Sequence, residues 1–170
     1  MTMRLFIATF ALVLASCASV PPAPKVAPWR MERLASAAVP AIYRTQWQKA
    51  ENRDTCALIA PRSVGSVQNA TPRAASFAGG WAVAYDTPEL RSAFGVAGAG
   101  VKASDPSYSD WPYVQIWDDG SKVEYGPEGG TGPNQLAYLR IGGQDCLYNI
   151  WSRLGQGHLE HLIRELRFVE

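Results

Sequence analysis

Strict alternation of apolar and polar positions marks the middle of the chain. Residues 113–117 and 122–125 alternate on either side of Asp118-Asp119-Gly120-Ser121, a turn cluster between two period-two runs, and this predicts a β-hairpin. In its first arm Val114 and Ile116 fall on one face, and Tyr113, Gln115 and Trp117 fall on the other. Residues 136–141 and 146–151 predict a second hairpin around Gly142-Gly143-Gln144-Asp145. Upstream, Trp81, Val83 and Tyr85 alternate with alanines, which predicts a strand within 77–85 that stops at Asp86-Thr87-Pro88. A second apolar run, 92–101, is placed to pair with it, although Gly95, Gly98 and Gly100 weaken its strand pattern. Residues 56–60 read as a short buried strand ended by Pro61. The polar stretch 62–75, rich in Ser, Asn and Pro, reads as a loop.

The period changes at the two ends of this region. Ile42, Trp47 and Ala50, with Tyr43 and Gln46, make a helical stripe within 41–53, and Pro40 suits a first-turn position. Leu159, Leu162, Ile163 and Leu166 recur at i, i+3, i+4 and i+7, which predicts a terminal helix with one buried stripe. Strands in the middle and helices at the ends predict an α+β fold: an antiparallel sheet built from hairpins, with an N-terminal and a C-terminal helix packed on one face. A chain of 170 residues, 47% hydrophobic and 18% charged, suffices for one domain with a sizeable core and is short for two. With 16 Lys and Arg against 15 Asp and Glu, there is no basic excess for a nucleic-acid partner.

The first residues carry an address. One positive charge at Arg4 precedes an apolar run of 11 residues, 5–15, interrupted only by Thr9; this is short for a membrane span and suits a signal-peptide core. The run ends in Leu14-Ala15-Ser16-Cys17, which resembles the lipobox of bacterial lipoproteins. The resemblance implies that residues 1–16 are removed, that Cys17 becomes an acylated N-terminus, and that a lipid bilayer is the first partner, each buried CH₂ contributing roughly 0.8 kcal/mol to anchoring. Ala18, in place of the Asp that favours inner-membrane retention in Gram-negative families, implies the outer membrane, with the domain facing the periplasm. Removing Arg4 leaves basic and acidic side chains balanced, so attraction to anionic lipid is not the anchor.

With Cys17 committed to lipid, Cys56 and Cys146 remain as an even pair in a compartment that permits disulfides, and a bridge between them is expected. There is no C-x-x-C, and both cysteines sit in apolar surroundings that would stabilise a thiolate poorly. Residues 17–28 are expected to form the lipidated terminus and a tether, since Pro21, Pro22, Pro24 and Pro28 favour extended polyproline II. At roughly 3.1 Å per residue, this spacer could hold a domain of residues 29–170 on the order of 30 Å from the membrane. No internal repeat and no second linker divides that domain.

Candidate chemistry is sparse. His158, His161 and Glu165 share one side of the terminal helix at i, i+3 and i+7, opposite the leucine stripe; a solvated polar face explains them better than zinc. The run from Gly95 to Gly100 is G-x-x-G-x-G, the reverse of the dinucleotide fingerprint, and residues 126–133 lack the lysine of a P-loop; both are expected to be loops. There is no G-x-S-x-G, and Asp118-Asp119-Gly120 lacks the alternating ligands of an EF-hand. Asp110, Asp118, Asp119, Glu124 and Glu128 could supply a glycosidase pair, but carboxylates are common at hairpin turns. No catalytic residue, metal or cofactor is assigned.

The chain stands out for its rings. Tyr108, Trp111, Tyr113, Trp117 and Tyr125 crowd into 18 residues, interleaved with Asp105, Asp110, Asp118 and Asp119. Rigid aromatics beside hydrogen-bonding groups make protein-binding hot spots, can stack on sugars, or can simply fill the core. Tyr108, Trp111, Tyr113, Trp117, Asp118, Asp119 and Tyr125 are therefore the candidate partner-binding residues. In size, lipobox and single disulfide the chain is similar to small envelope lipoproteins that inhibit lysozyme or confer immunity to cell-wall-attacking toxins. The resemblance implies a non-catalytic binding module whose partner is an envelope protein or toxin, with peptidoglycan as a further candidate, and whose plug is the turn 118–121 or the loop 126–133. An envelope-assembly scaffold is the alternative, and a cell-wall hydrolase ranks below both.

Overall fold

The computed structural model describes residues 25–77, 79–102, 111–129 and 134–170. Among them are nine strands and two α-helices in an α+β arrangement. The first helix, α1 (Ala41–Lys49), starts directly after Pro40 and ends four residues short of the expected 53. Strand β1 (Ile59–Pro61) follows, then β2 (Thr71–Ala75), β3 (Trp81–Thr87) and β4 (Leu90–Ala99). The two predicted hairpins are β5 (Tyr113–Ile116) with β6 (Lys122–Pro127), and β7 (Gln135–Arg140) with β8 (Leu147–Ser152). Helix α2 (Gln156–Glu165) and the short β9 (Leu166–Phe168) close the chain.

Seven strands form one antiparallel sheet in the order β2-β3-β4-β8-β7-β6-β5; β1 and β9 pair separately. Two strands correct the sequence reading. The stretch expected as a loop contains β2, an edge strand, where Pro72 is tolerated because the outer side of the ladder needs no N–H. The terminal helix stops at Glu165, and Leu166 begins β9, its side chain still buried. The glycine-rich run is not a loop either, since Gly95 and Gly98 lie inside β4. A Cβ on Gly95 would stand 2.2 Å from the Trp151 ring, and one on Gly98 would stand 2.4 Å from the Trp81 indole nitrogen. The glycines make room for one tryptophan on each face of the sheet.

Both helices cover the same face. Trp81, Val83 and Tyr85 of β3, Phe94 and Val96 of β4, and Tyr148 and Ile150 of β8 are buried there. Tyr43 of α1 packs edge-on to Trp81, and Leu159, Leu162 and Ile163 supply the buried stripe of α2. Cys56 and Cys146 form a disulfide that ties the segment after α1 to the start of β8, with Cα atoms 5.1 Å apart. Residues 17–24 of the expected tether lie outside the described residues. The tether's far end already belongs to the domain: Lys25 bridges to Trp117, Ala27 is fully buried, and Pro28 opens a short 3₁₀ turn. Among the described residues no helix is long and apolar enough to cross a membrane.

Candidate binding surfaces

The alternation of the strands divides the aromatic cluster between the two faces of the sheet. Trp117 is 4% exposed on the helix side, edge-on to Trp29 at 4.8 Å. Asp119 braces this pair: one carboxylate oxygen accepts the Trp29 indole N–H at 3.0 Å and the other accepts the Ser121 amide at 2.9 Å. Partial burial would raise the Asp119 pKa, but the hydrogen bonds from Ser121 and Trp29 outweigh it and hold the group below the usual carboxylate range. Both oxygens of this half-buried carboxylate are thus engaged within the fold. Asp118 is exposed, and its backbone N–H donates to the Lys25 carbonyl at 3.1 Å.

Tyr113 and Tyr125 also lie on the helix side, stacked at 5.1 Å. The Tyr125 hydroxyl donates to Glu160 at 3.0 Å; burial, and then this carboxylate, push the phenol up to about 12. Tyr125 borders a groove of about 370 Å³ whose walls include Lys25, Met31, Gln115, Glu160 and Arg164. Trp111 is separate: it stacks on Tyr138 of β7 at 4.8 Å, on the face away from the helices. Tyr108, Asp105 and Asp110 lie outside the described residues, as do residues 130–133 of the expected plug loop.

That second face is ordered in cross-strand rows. One row runs Gly126, Leu136, Trp151, Gly95, Ala84, Arg73, and the next runs Val114, Glu124, Tyr138, Asn149, Ala97, Ala82, Ala75. Small residues on β3 and β4 and large ones on β7 and β8 leave a hollow of about 460 Å³, lined by Phe77, Glu128, Leu136, Tyr138, Asn149 and Trp151. Its floor is the Trp151 indole lying across Gly95. Towards the outer edge, Glu124 is buried and ion-paired with Lys122 at 2.8 Å and Arg140 at 3.8 Å, while Val114 and Ile116 of β5 are 52% and 62% exposed. The sequence reading missed Phe77, Leu136, Tyr138, Asn149 and Trp151. Their signal was the alternation of the second hairpin, read for its strands but not for its faces.

The histidines are not on a solvated face. Segment 62–70 packs over them: His158 Nδ1 meets the Ser152 hydroxyl at 2.9 Å and Nε2 donates to the Val64 carbonyl at 3.2 Å, with the ring edge-on to Phe94. Burial lowers the His158 pKa, more than the Val64 carbonyl can raise it, and His161 lowers it further. Glu165 pairs with Arg62 at 2.9 Å, which holds its carboxyl low. No group of three metal-ligating side chains occurs among the described residues. No family model, no curated protein and no solved structure matches the chain. Fold and surface thus define its class: an α+β domain with a covered face, and a second face lined by rings.

Proposed function

We propose that the chain is a non-catalytic binding module of the bacterial envelope, anchored at the outer membrane through an acylated Cys17 with its domain in the periplasm, and that it inhibits a cell-wall-degrading enzyme or toxin as an inhibitor or immunity protein. The observation that supports this reading best is the face the helices leave uncovered. There Tyr138, Leu136, Trp151 and the exposed Phe77 line a hollow, and Trp111, stacked on Tyr138, and the exposed Val114 and Ile116 extend the apolar surface towards the outer edge. Clustered exposed apolar groups with rigid rings are the composition of a partner-binding surface. The turn 118–121 supports the reading less well as a plug, because Asp119 is held by Trp29 and Ser121.

The test uses the mature chain with Cys17→Ser, added to a panel of purified peptidoglycan hydrolases and wall-directed toxins while soluble fragment release is followed. The expected result is dose-dependent slowing of one of them. Unchanged rates across the panel would remove the inhibitor reading. Incorporation of labelled palmitate into the wild-type chain, lost in Cys17→Ser, checks the anchor separately.

A further inference from the structure

We propose that the hollow between β7, β8 and the segment after β2 is a saccharide-binding subsite, with Asn149 as its polar anchor and Trp151 as its stacking platform. The inference deepens the reading of this face as a binding surface and gives the chemistry of what it takes.

Asn149 carries the argument. It is 7% exposed and lines the hollow, yet its side-chain amide makes no hydrogen bond with any described residue. Ser121 and Ser152, both fully buried, are engaged with Gly142 and with His158. Its amide atoms open onto the hollow and are not sealed from solvent, so a partner that displaces the water there must supply both a donor and an acceptor. The hollow is where that partner would sit.

The walls restrict its chemistry. Gly95 lets the Trp151 ring lie on the sheet floor, so the ring turns its other face to the hollow. Leu136 and Phe77 add apolar walls, and Tyr138 is held in place by Trp111. The one charged lining residue among the described residues is Glu128, which is exposed and can accept hydroxyl hydrogens. An anion would meet no cation among the described lining residues, and a purely apolar ligand would leave Asn149 unpaired. A sugar ring meets each condition: a flat C–H face for the indole, and hydroxyl or acetamido groups that pair with a carboxamide on both its donor and acceptor sides.

The experiment titrates the mature protein with N-acetylglucosamine trimer and, separately, with glucose trimer, following the Trp151 indole and Asn149 side-chain resonances and tryptophan fluorescence. At least one trimer is expected to shift both resonances saturably, and Asn149→Leu, folded by circular dichroism, is expected to weaken that binding at least tenfold. Three results would overturn the proposal: no shift with either trimer up to about 10 mM, shifts confined to the groove beside Tyr125, or unchanged affinity in Asn149→Leu. Because free saccharides are the probes, the subsite can fail while enzyme inhibition stands, and inhibition can fail while the subsite stands.

Discussion

Gly95→Ala tests the packing on which the hollow depends. A Cβ at this position would lie 2.2 and 2.4 Å from two carbons of the Trp151 ring and 2.6 Å from the Val83 carbonyl oxygen. Ordinary contact is near 3.5–4.0 Å, so the indole must withdraw by more than an ångström, and the β3 backbone on the other side cannot yield as a side chain would. Overpacking of this kind costs about 1–3 kcal/mol, offset by roughly 0.5 kcal/mol because alanine loses less backbone freedom on folding than glycine. A net loss near 1.5 kcal/mol corresponds to a fall of about 3–6 °C in the melting midpoint. The control is Gly157→Ala in the first turn of α2, where a Cβ meets nothing within 4 Å; it should be neutral or stabilising by up to about 1 kcal/mol. Urea titration of the two variants, with near-ultraviolet circular dichroism for the Trp151 environment, gives both quantities. If Gly95→Ala matches wild type in stability and spectrum, the indole does not rest on Gly95 and the floor of the hollow is misplaced.

Other consequences follow from the same contacts. Replacing Cys56 and Cys146 with alanine opens a loop with sequence separation 90 and should cost about 4–5 kcal/mol in the chain-entropy model, measurable as a shift in urea midpoint; a loss under about 1 kcal/mol would refute that origin. Asp119→Ala leaves the buried Trp29 N–H without its acceptor, so a loss of about 1–3 kcal/mol is expected, with Asp119→Asn retaining part of it. The His158 pKa is lower folded than unfolded, so the unfolded chain binds the proton more readily. Its contribution is full above about pH 6.5 and fades as pH falls from there through the folded value, and His158→Gln should flatten that limb of the stability profile. The lowered carboxyls of Asp119 and Glu165 act by the same sign at more acid pH, below the ordinary carboxylate range.

The parts of the fold that alternate over four or more residues were readable from the sequence: β3, both hairpins, and the faces of Val114 and Ile116. The buried stripe of α2 was equally plain. What escaped is set by tertiary contact. β2 carries a proline and small side chains, and only the edge of β3 makes it a strand; β9 is three residues long and exists through its ladder with β1. His158 stands opposite the leucine stripe, but segment 62–70 folds back to cover it. The site was half legible for a related reason. Sequence density drew attention to residues 108–125, yet Trp111 reaches Tyr138 on one face while Tyr113 and Trp117 lie on the other. The hollow instead belongs to β7 and β8, where single rings separated by small or polar residues form no dense cluster along the chain.

The central claim is that partners meet the face away from the helices. Its most direct test compares two tyrosine truncations on opposite sides of one sheet, Tyr138→Ala and Tyr113→Ala, in the inhibition assay against whichever enzyme the wild-type chain slows. Tyr138→Ala should weaken inhibition by at least tenfold, the scale of a hot-spot residue losing about 2 kcal/mol, while Tyr113→Ala stays near wild type. The opposite pattern, with Tyr113→Ala impaired and Tyr138→Ala unaffected, would move the binding surface to the helix-side groove and contradict the account.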